Sequence, residues 1–208
     1  TCLAFAVDKC ADFHSSLTTW IPVGEKIGHT FGRQALGMIW DYAEAVPFSD
    51  ISGSWDRCID YIRKVIEKNM AVKANNITVM QTAVQNHPLP NDSVHLVVTD
   101  PPYYNAVPFA DLSDFFYVWI SKILAPIYPE LFKEIVAPKD DEIAELSGWD
   151  EKRYKHKDKE YYQREFCIAM TRVREIVMHD GLCVVFFEHK STSGWEATIA
   201  GLIDAGWI

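Results

Sequence analysis

Basic charge is what this sequence has too little of: 20 lysines and arginines stand against 29 aspartates and glutamates, a formal net charge of −9. Affinity for phosphate backbones comes mainly from neutralising cations, so the surface as a whole is no polyanion grip, and any such contact must be local. Paired cysteines are missing too. The five, Cys2, Cys10, Cys58, Cys167 and Cys183, show no C-x-x-C spacing and no close clustering, which argues against a zinc site and a disulfide framework and predicts reduced thiols in a cytoplasmic protein. No apolar run approaches the roughly 20 residues needed to span a bilayer, and the N-terminus lacks the basic-then-apolar order of a signal peptide. No G-x-x-x-x-G-K-[ST] loop and no H-E-x-x-H pair occurs, no G-x-G follows an expected strand, and no metal site is expected.

What is present is a globular composition: 49% hydrophobic and 13% aromatic in 208 residues, enough for one core or one domain with appended helices. The start at Thr1 and the closing GLIDAGWI, which would normally feed another strand, read as a fragment of something larger.

Apolar spacing predicts helices over 3–14, 31–46 and 54–69, the last with Ser54 as N-cap and Trp55, Ile59, Ile62 and Ile66 on one stripe. Residues 1–70 thus form a helical N-terminal subregion, and 71–208 a separate catalytic region. There NITVM (76–80) reads as a short strand, HPLPND (87–92) as a turn, and SVHLVVT (93–99) as a nearly continuous apolar strand of the kind covered on both faces in a parallel sheet. A helix over 111–124 follows, then an irregular charged insertion near 125–157. A long helix over 158–179 carries Tyr162, Phe166, Met170, Val173 and Val177 on one face, Gly181 stands at its expected C-cap, LCVVFFEH (182–189) forms a second buried strand, and 194–206 a final helix. Alternating strands and helices predict an α/β fold: a partial Rossmann-like sheet of parallel strands flanked by helices.

The apolar strand ends in VVTDPPYYNAV (97–107). Ligands of open parallel sheets bind at the carboxyl ends of strands, where Thr99, Asp100 and Pro101 fall. Two prolines stiffen the loop and bias Asp100 away from helical geometry. A fixed carboxylate, a rigid carbonyl and a neighbouring ring are well suited to accepting hydrogen bonds from an exocyclic amine while stacking its planar base. Orienting both hydrogens of such an amine turns its lone pair toward an electrophilic methyl group, and alignment supplies much of the rate.

Asp-Pro-Pro-Tyr resembles the catalytic signature of S-adenosylmethionine-dependent amino-methyltransferases acting on adenine or cytosine in DNA. The longer blocks DPPYYNAVPFADLSDFFYVWISKIL, FGRQALGMIWDYAEAVPF and VVFFEHKSTSGWEATIAGLIDAGW are similar to the adenine-specific DNA methylases that contain a zinc ribbon and a DUF1156 domain. The resemblance implies that Asp100 and the Pro101 carbonyl accept from the target amine, that Pro102 stiffens the same signature, and that Tyr103 stacks on a base flipped out of its helix. It adds Tyr104, Asn105 and Asp111 as substrate-binding candidates, with Asp114 near them. Thr82, Thr99, Asp100, Glu188, His189 and Lys190 are the candidates for contact with S-adenosylmethionine, with Ser191 and Thr192 behind them.

Other features have plainer readings. The run KRYKHKDKEYYQR (152–164) could lie along a phosphate backbone or form a solvated helix entry. Phe115, Phe116, Tyr117 and Trp119 could wall a base pocket or pack as core. Two rival functions stay open beside DNA methylation: methyl transfer to an RNA base amine, and nucleic-acid binding without catalysis.

Overall fold

The computed structural model describes residues 1–70, 72 and 76–207. They form two compact units, one of residues 1–79 and 110–137, the other of 80–109 and 138–208. In the first unit α1 (Cys2–His14) leads into a small antiparallel hairpin, β1 (Trp20–Ile21) and β2 (Lys26–Ile27), joined by a 3-10 turn. Helix α2 (Trp55–Met70) follows and packs on α1. Ser54 accepts the Cys58 amide with its carbonyl and the Arg57 amide with its hydroxyl, as an N-cap should. Of the expected α2 stripe, Trp55, Ile59 and Ile62 are half-buried and Ile66 is exposed, and the fully buried residue of the helix is Cys58.

Two expected elements do not form. Residues 31–46, expected as a helix, run as bends and irregular chain. Helices of this length draw most of their stability from a packed apolar face, and here Met38 and Trp40 are 78% and 88% exposed. The segment is tied instead through Thr18, whose carbonyl takes the Ala43 amide and whose hydroxyl donates to the Ala43 carbonyl. Residues 76–80 make no strand; Ile77 and Val79 face solvent without a ladder partner.

The second unit holds β3 (Val94–Thr99). The chain then enters α3 (Phe109–Leu124), most of which belongs to the first unit, where Phe115 and Phe116 pack their rings on Phe31 at 5.4 and 5.3 Å. That contact favours packing for these two rings. Back in the second unit come α4 (Glu151–Tyr154), α5 (Lys159–Ile176), β4 (Val177–Val185) and α6 (Thr192–Asp204). Strand β4 lies parallel to β3, with Leu96 opposite Leu182 and Thr99 opposite Val185. The fold is therefore mixed α/β, with six α-helices and one two-stranded parallel sheet among the described residues. No helix among them is long and apolar enough to cross a membrane.

The apolar face expected on α5 is the core. Tyr162, Phe166, Met170, Val173 and Val177 are buried with Ile176 and Ala197, and Val97, Cys183 and Val185 from the sheet, with Phe187 just beyond it, close over them. The sheet's other face differs from expectation, because Leu96, Val98, Leu182, Val184 and Phe186 are exposed. Strand β4 also starts earlier than expected, directly at the end of α5, and stops at Val185. Gly181 is consequently no helix cap. It lies within β4 beside a register shift, where an added Cβ would stand 2.7 Å from Val177 Cγ1 and 3.0 Å from the His95 carbonyl, so the close approach of the strands requires its missing side chain.

Candidate functional site

The Asp-Pro-Pro-Tyr segment leaves the carboxyl end of β3, and the Phe186 amide extends the ladder one bond further by donating to the Thr99 carbonyl at 2.9 Å. Thr99, Asp100, Pro101, Pro102, Tyr103, Tyr104 and Asn105 thus emerge beside Phe187, Glu188 and His189, which leave the same end of β4. Strand pairing brings together the two stretches expected to share a crevice.

The loop is folded tightly on itself. The Tyr104 amide donates to the Pro102 carbonyl and the Ala106 amide to the Tyr103 carbonyl, each at 3.0 Å. Tyr104 has a φ of 54°, a left-handed conformation that is unfavourable for a bulky residue and persists only where surroundings over-determine it. Those surroundings are visible: its ring is buried and meets Tyr162 edge-on at 5.1 Å and His189 at 5.5 Å. The Tyr104 carbonyl accepts the Glu145 amide at 3.1 Å. Burial, helped by the charges of Glu145, Glu160 and Asp158, pushes the Tyr104 phenol above its usual range. Tyr104 is therefore a support of the loop, with its ring engaged in the core.

Tyr103 is different. Hydrogen bonding to the Asp100 carboxylate is the main cause of its phenol standing above the ordinary tyrosine range, with the nearby charges of Asp100 and Glu188 adding to it. One edge of its ring rests on Phe187 at 5.5 Å, and Phe187 in turn meets Trp195 edge-on at 5.1 Å. Asp100 itself is exposed. Among the described residues the Pro101 carbonyl has no hydrogen-bond partner, whereas the Pro102 carbonyl is engaged by the Tyr104 amide and by the Tyr162 hydroxyl at 3.4 Å. A free acceptor beside a carboxylate on a stiff loop is the arrangement an amine with two hydrogens would require.

His189 is held by the start of α6. The Ser191 amide donates to its Nδ1 at 3.1 Å, its Nε2 lies 3.0 Å from Asn105 Oδ1, and Trp195 Nε1 donates to its carbonyl. Glu188 and Lys190 are exposed on either side.

Asp111 and Asp114 sit on α3, where the Asp114 carboxylate accepts the Ala137 amide at 2.8 Å within the first unit. Thr82 is exposed in the second unit, its hydroxyl donating to the adjacent Ala83 carbonyl. The basic run contains one residue with no charge to offer a phosphate: Lys157 is fully buried, and its ammonium donates to the Lys139 and Glu142 carbonyls at 2.6 and 2.7 Å. Lys152, Arg153 and Lys155 are exposed.

Helical spacing places Tyr162 on an apolar stripe but does not reveal its hydroxyl's part, which is to bridge Thr198 and the Pro102 carbonyl. A tyrosine among Phe, Met and Val on a core face is the available signal, since a buried phenol needs a partner. Comparison with models of known families, with curated proteins and with solved structures finds no match to this chain.

Proposed function

We propose that this chain carries the base-recognising side of an S-adenosylmethionine-dependent amino-methyltransferase acting on DNA, with adenine as the favoured base and a fuller Rossmann-like methyltransferase sheet as its architecture. The observation that carries it is the Asp100 carboxylate and the unengaged Pro101 carbonyl on one stiffened loop at the carboxyl end of a parallel strand. These acceptors would take the two hydrogens of an exocyclic amine and turn its lone pair outward, while Tyr103, braced by Phe187, would stack on the flipped base. Pro102 and Asn105 would complete that side.

S-adenosylmethionine would supply the methyl group, with Thr99, Glu188, His189, Lys190 and Thr82 as the candidates for its side. The described residues do not amount to a cradle for it. Glu188 and Lys190 are exposed, the Thr82 hydroxyl turns to its own neighbour, and the loops that follow β3 and β4 open on Asp-Pro-Pro and Phe-Phe-Glu in place of the glycines that let a backbone approach a nucleotide. The chain's own contribution is therefore to bind and orient the amine.

Transfer of labelled methyl groups from S-adenosylmethionine to adenine-containing DNA tests this. Asp100→Asn, which keeps one acceptor oxygen, should retain measurable transfer, and Asp100→Ala should lose it by at least about 100-fold, the scale of one pre-organised polar contact at a reacting centre. Measurable transfer at equal rates in wild type and Asp100→Ala would refute the assignment. Transfer to structured RNA in preference to DNA would move the substrate class.

A further inference from the structure

We propose that Asn105 reads the ring acceptor beside the target amine, and that His189 positions it by fixing which end of its amide faces outward. The proposal rests on the function proposed above and goes beyond it by naming the feature of the base that is recognised.

Hydrogen-bond direction carries the step. A backbone amide can only donate and a carbonyl can only accept, and both Ser191 groups face His189 Nδ1; the amide is nearer, at 3.1 Å against 3.4 Å for the carbonyl, so Nδ1 carries the lone pair. The imidazole proton then resides on Nε2. That N–H needs an acceptor, and the atom 3.0 Å away is Asn105 Oδ1. With its oxygen committed to His189, the exposed Asn105 side chain presents its NH2 group as a donor of fixed polarity. It stands two residues after Tyr103, on the loop that holds the amine acceptors. The assembled set is then two acceptors followed by one donor.

That pattern complements an amine with a neighbouring ring nitrogen that carries a lone pair. Adenine offers it as N6 beside N1 or N7. The support for the imidazole is extensive: Phe187 stacks on it, Tyr104 meets it edge-on, and its Nδ1 also lies 2.9 Å from the Ser191 hydroxyl, while Ser191 caps α6 by accepting the Gly194 amide. Gly194 lies directly beneath the ring. A Cβ there would stand 2.4 Å from His189 Nδ1, so Gly194→Ala displaces the imidazole and leaves every polar group of the site in the sequence.

The test measures binding of the full chain to single-stranded oligonucleotides that differ at one position: adenine, 1-deazaadenine, 7-deazaadenine or thymine. Wild type should favour adenine over one of the two deaza probes by about tenfold, the scale of one hydrogen bond. Asn105→Ala, His189→Ala and Gly194→Ala should each erase that discrimination. His189→Gln, whose amide can put an N–H where Nε2 stood, should restore it, which a merely structural role for His189 would not do. Equal binding of all three purine probes by wild type, or discrimination that survives Asn105→Ala, overturns the proposal. Asn105 is exposed, so its variant tests the idea even if a His189 variant unfolds. Loss of adenine binding in Asp100→Ala without deaza discrimination sinks this inference alone, whereas no preference for adenine over thymine and no effect of Asp100→Ala sink the function with it.

Discussion

The two units use their apolar residues in opposite ways. In the second, one long helix presents a continuous stripe, and a strand pair and a second helix close over it, so that Tyr162 and Phe166 stack at 5.7 Å in a buried core. In the first, Trp40 and Val79 are almost wholly exposed, and chain rich in apolar residues stays irregular. Apolar residues build structure only where one element offers a stripe and another can cover it. The candidate site follows the same division: its acceptors leave the better packed unit, where the core can hold a stiff loop in an unfavourable conformation.

The sharpest way to break this contrast is to truncate one large aromatic residue in each unit. Tyr162→Ala removes a fully buried ring, its edge contact with Tyr104 and the hydroxyl that reaches Pro102; the expected cost is about 3 to 5 kcal/mol by denaturant titration. Trp40→Ala, at 88% exposure, should change stability by less than about 0.5 kcal/mol. Similar losses from the two changes would show that the loop holding Trp40 packs as firmly as α5. The milder Tyr162→Phe keeps the ring and should cost about 1 kcal/mol, leaving the Pro102 carbonyl with the Tyr104 amide alone.

A smaller effect sharpens the comparison inside the second unit. The charged stretch ahead of α5 has a core of its own, Ala144, Leu146 and Tyr154, and Lys157 stitches it together. Its backbone carbonyl accepts the Leu146 and Ser147 amides, and its ammonium reaches two carbonyls across the turn. Replacing Lys157 with Met keeps the stem and abandons those carbonyls, so a loss of about 2 to 3 kcal/mol is expected, with added amide exchange over 138–147. An unchanged exchange pattern would mean that the small apolar core suffices without the clamp.

Much of the second unit is legible in the sequence, for reasons the residues make plain. The stripe on α5, the apolar run of β3 and the Asp-Pro-Pro turn are local signals, written within one or two turns of chain. Residues 31–46 have a helical stripe as well and form no helix, because a periodic pattern does not reveal whether another element covers it. The same limit explains the exposed face of the sheet, and Gly181, whose role comes from a strand neighbour far back along the chain. Lys157 reads as part of a basic run because charge at a sequence position says nothing about burial. In the site, the acceptor loop is visible in the sequence, while the Ser191–His189–Asn105 chain of hydrogen bonds needs the pairing of β3 with β4 to bring its members together.

The mildest prediction concerns the first unit and a carboxyl group out of place. Asp8 is buried on α1, and among the described residues its Oδ1 has no hydrogen-bond partner. Burial pushes its pKa up from 3.8 to about 7, since the charged form loses water without gaining a partner. The folded value lies above the unfolded one, so folding is favoured by proton uptake. Asp8 is fully tolerated below about pH 4; its cost grows as pH rises and is complete above about 7. Asp8→Asn, which cannot ionise, should match wild type near pH 4 and exceed it near pH 8 by about 1 to 2 kcal/mol, the full linkage value being reduced by solvent screening. Thermal melts at the two pH values decide it. A constant difference between the proteins at both would show that the carboxyl ionises freely in the folded chain, and that the first unit is as open around α1 as it is around Trp40.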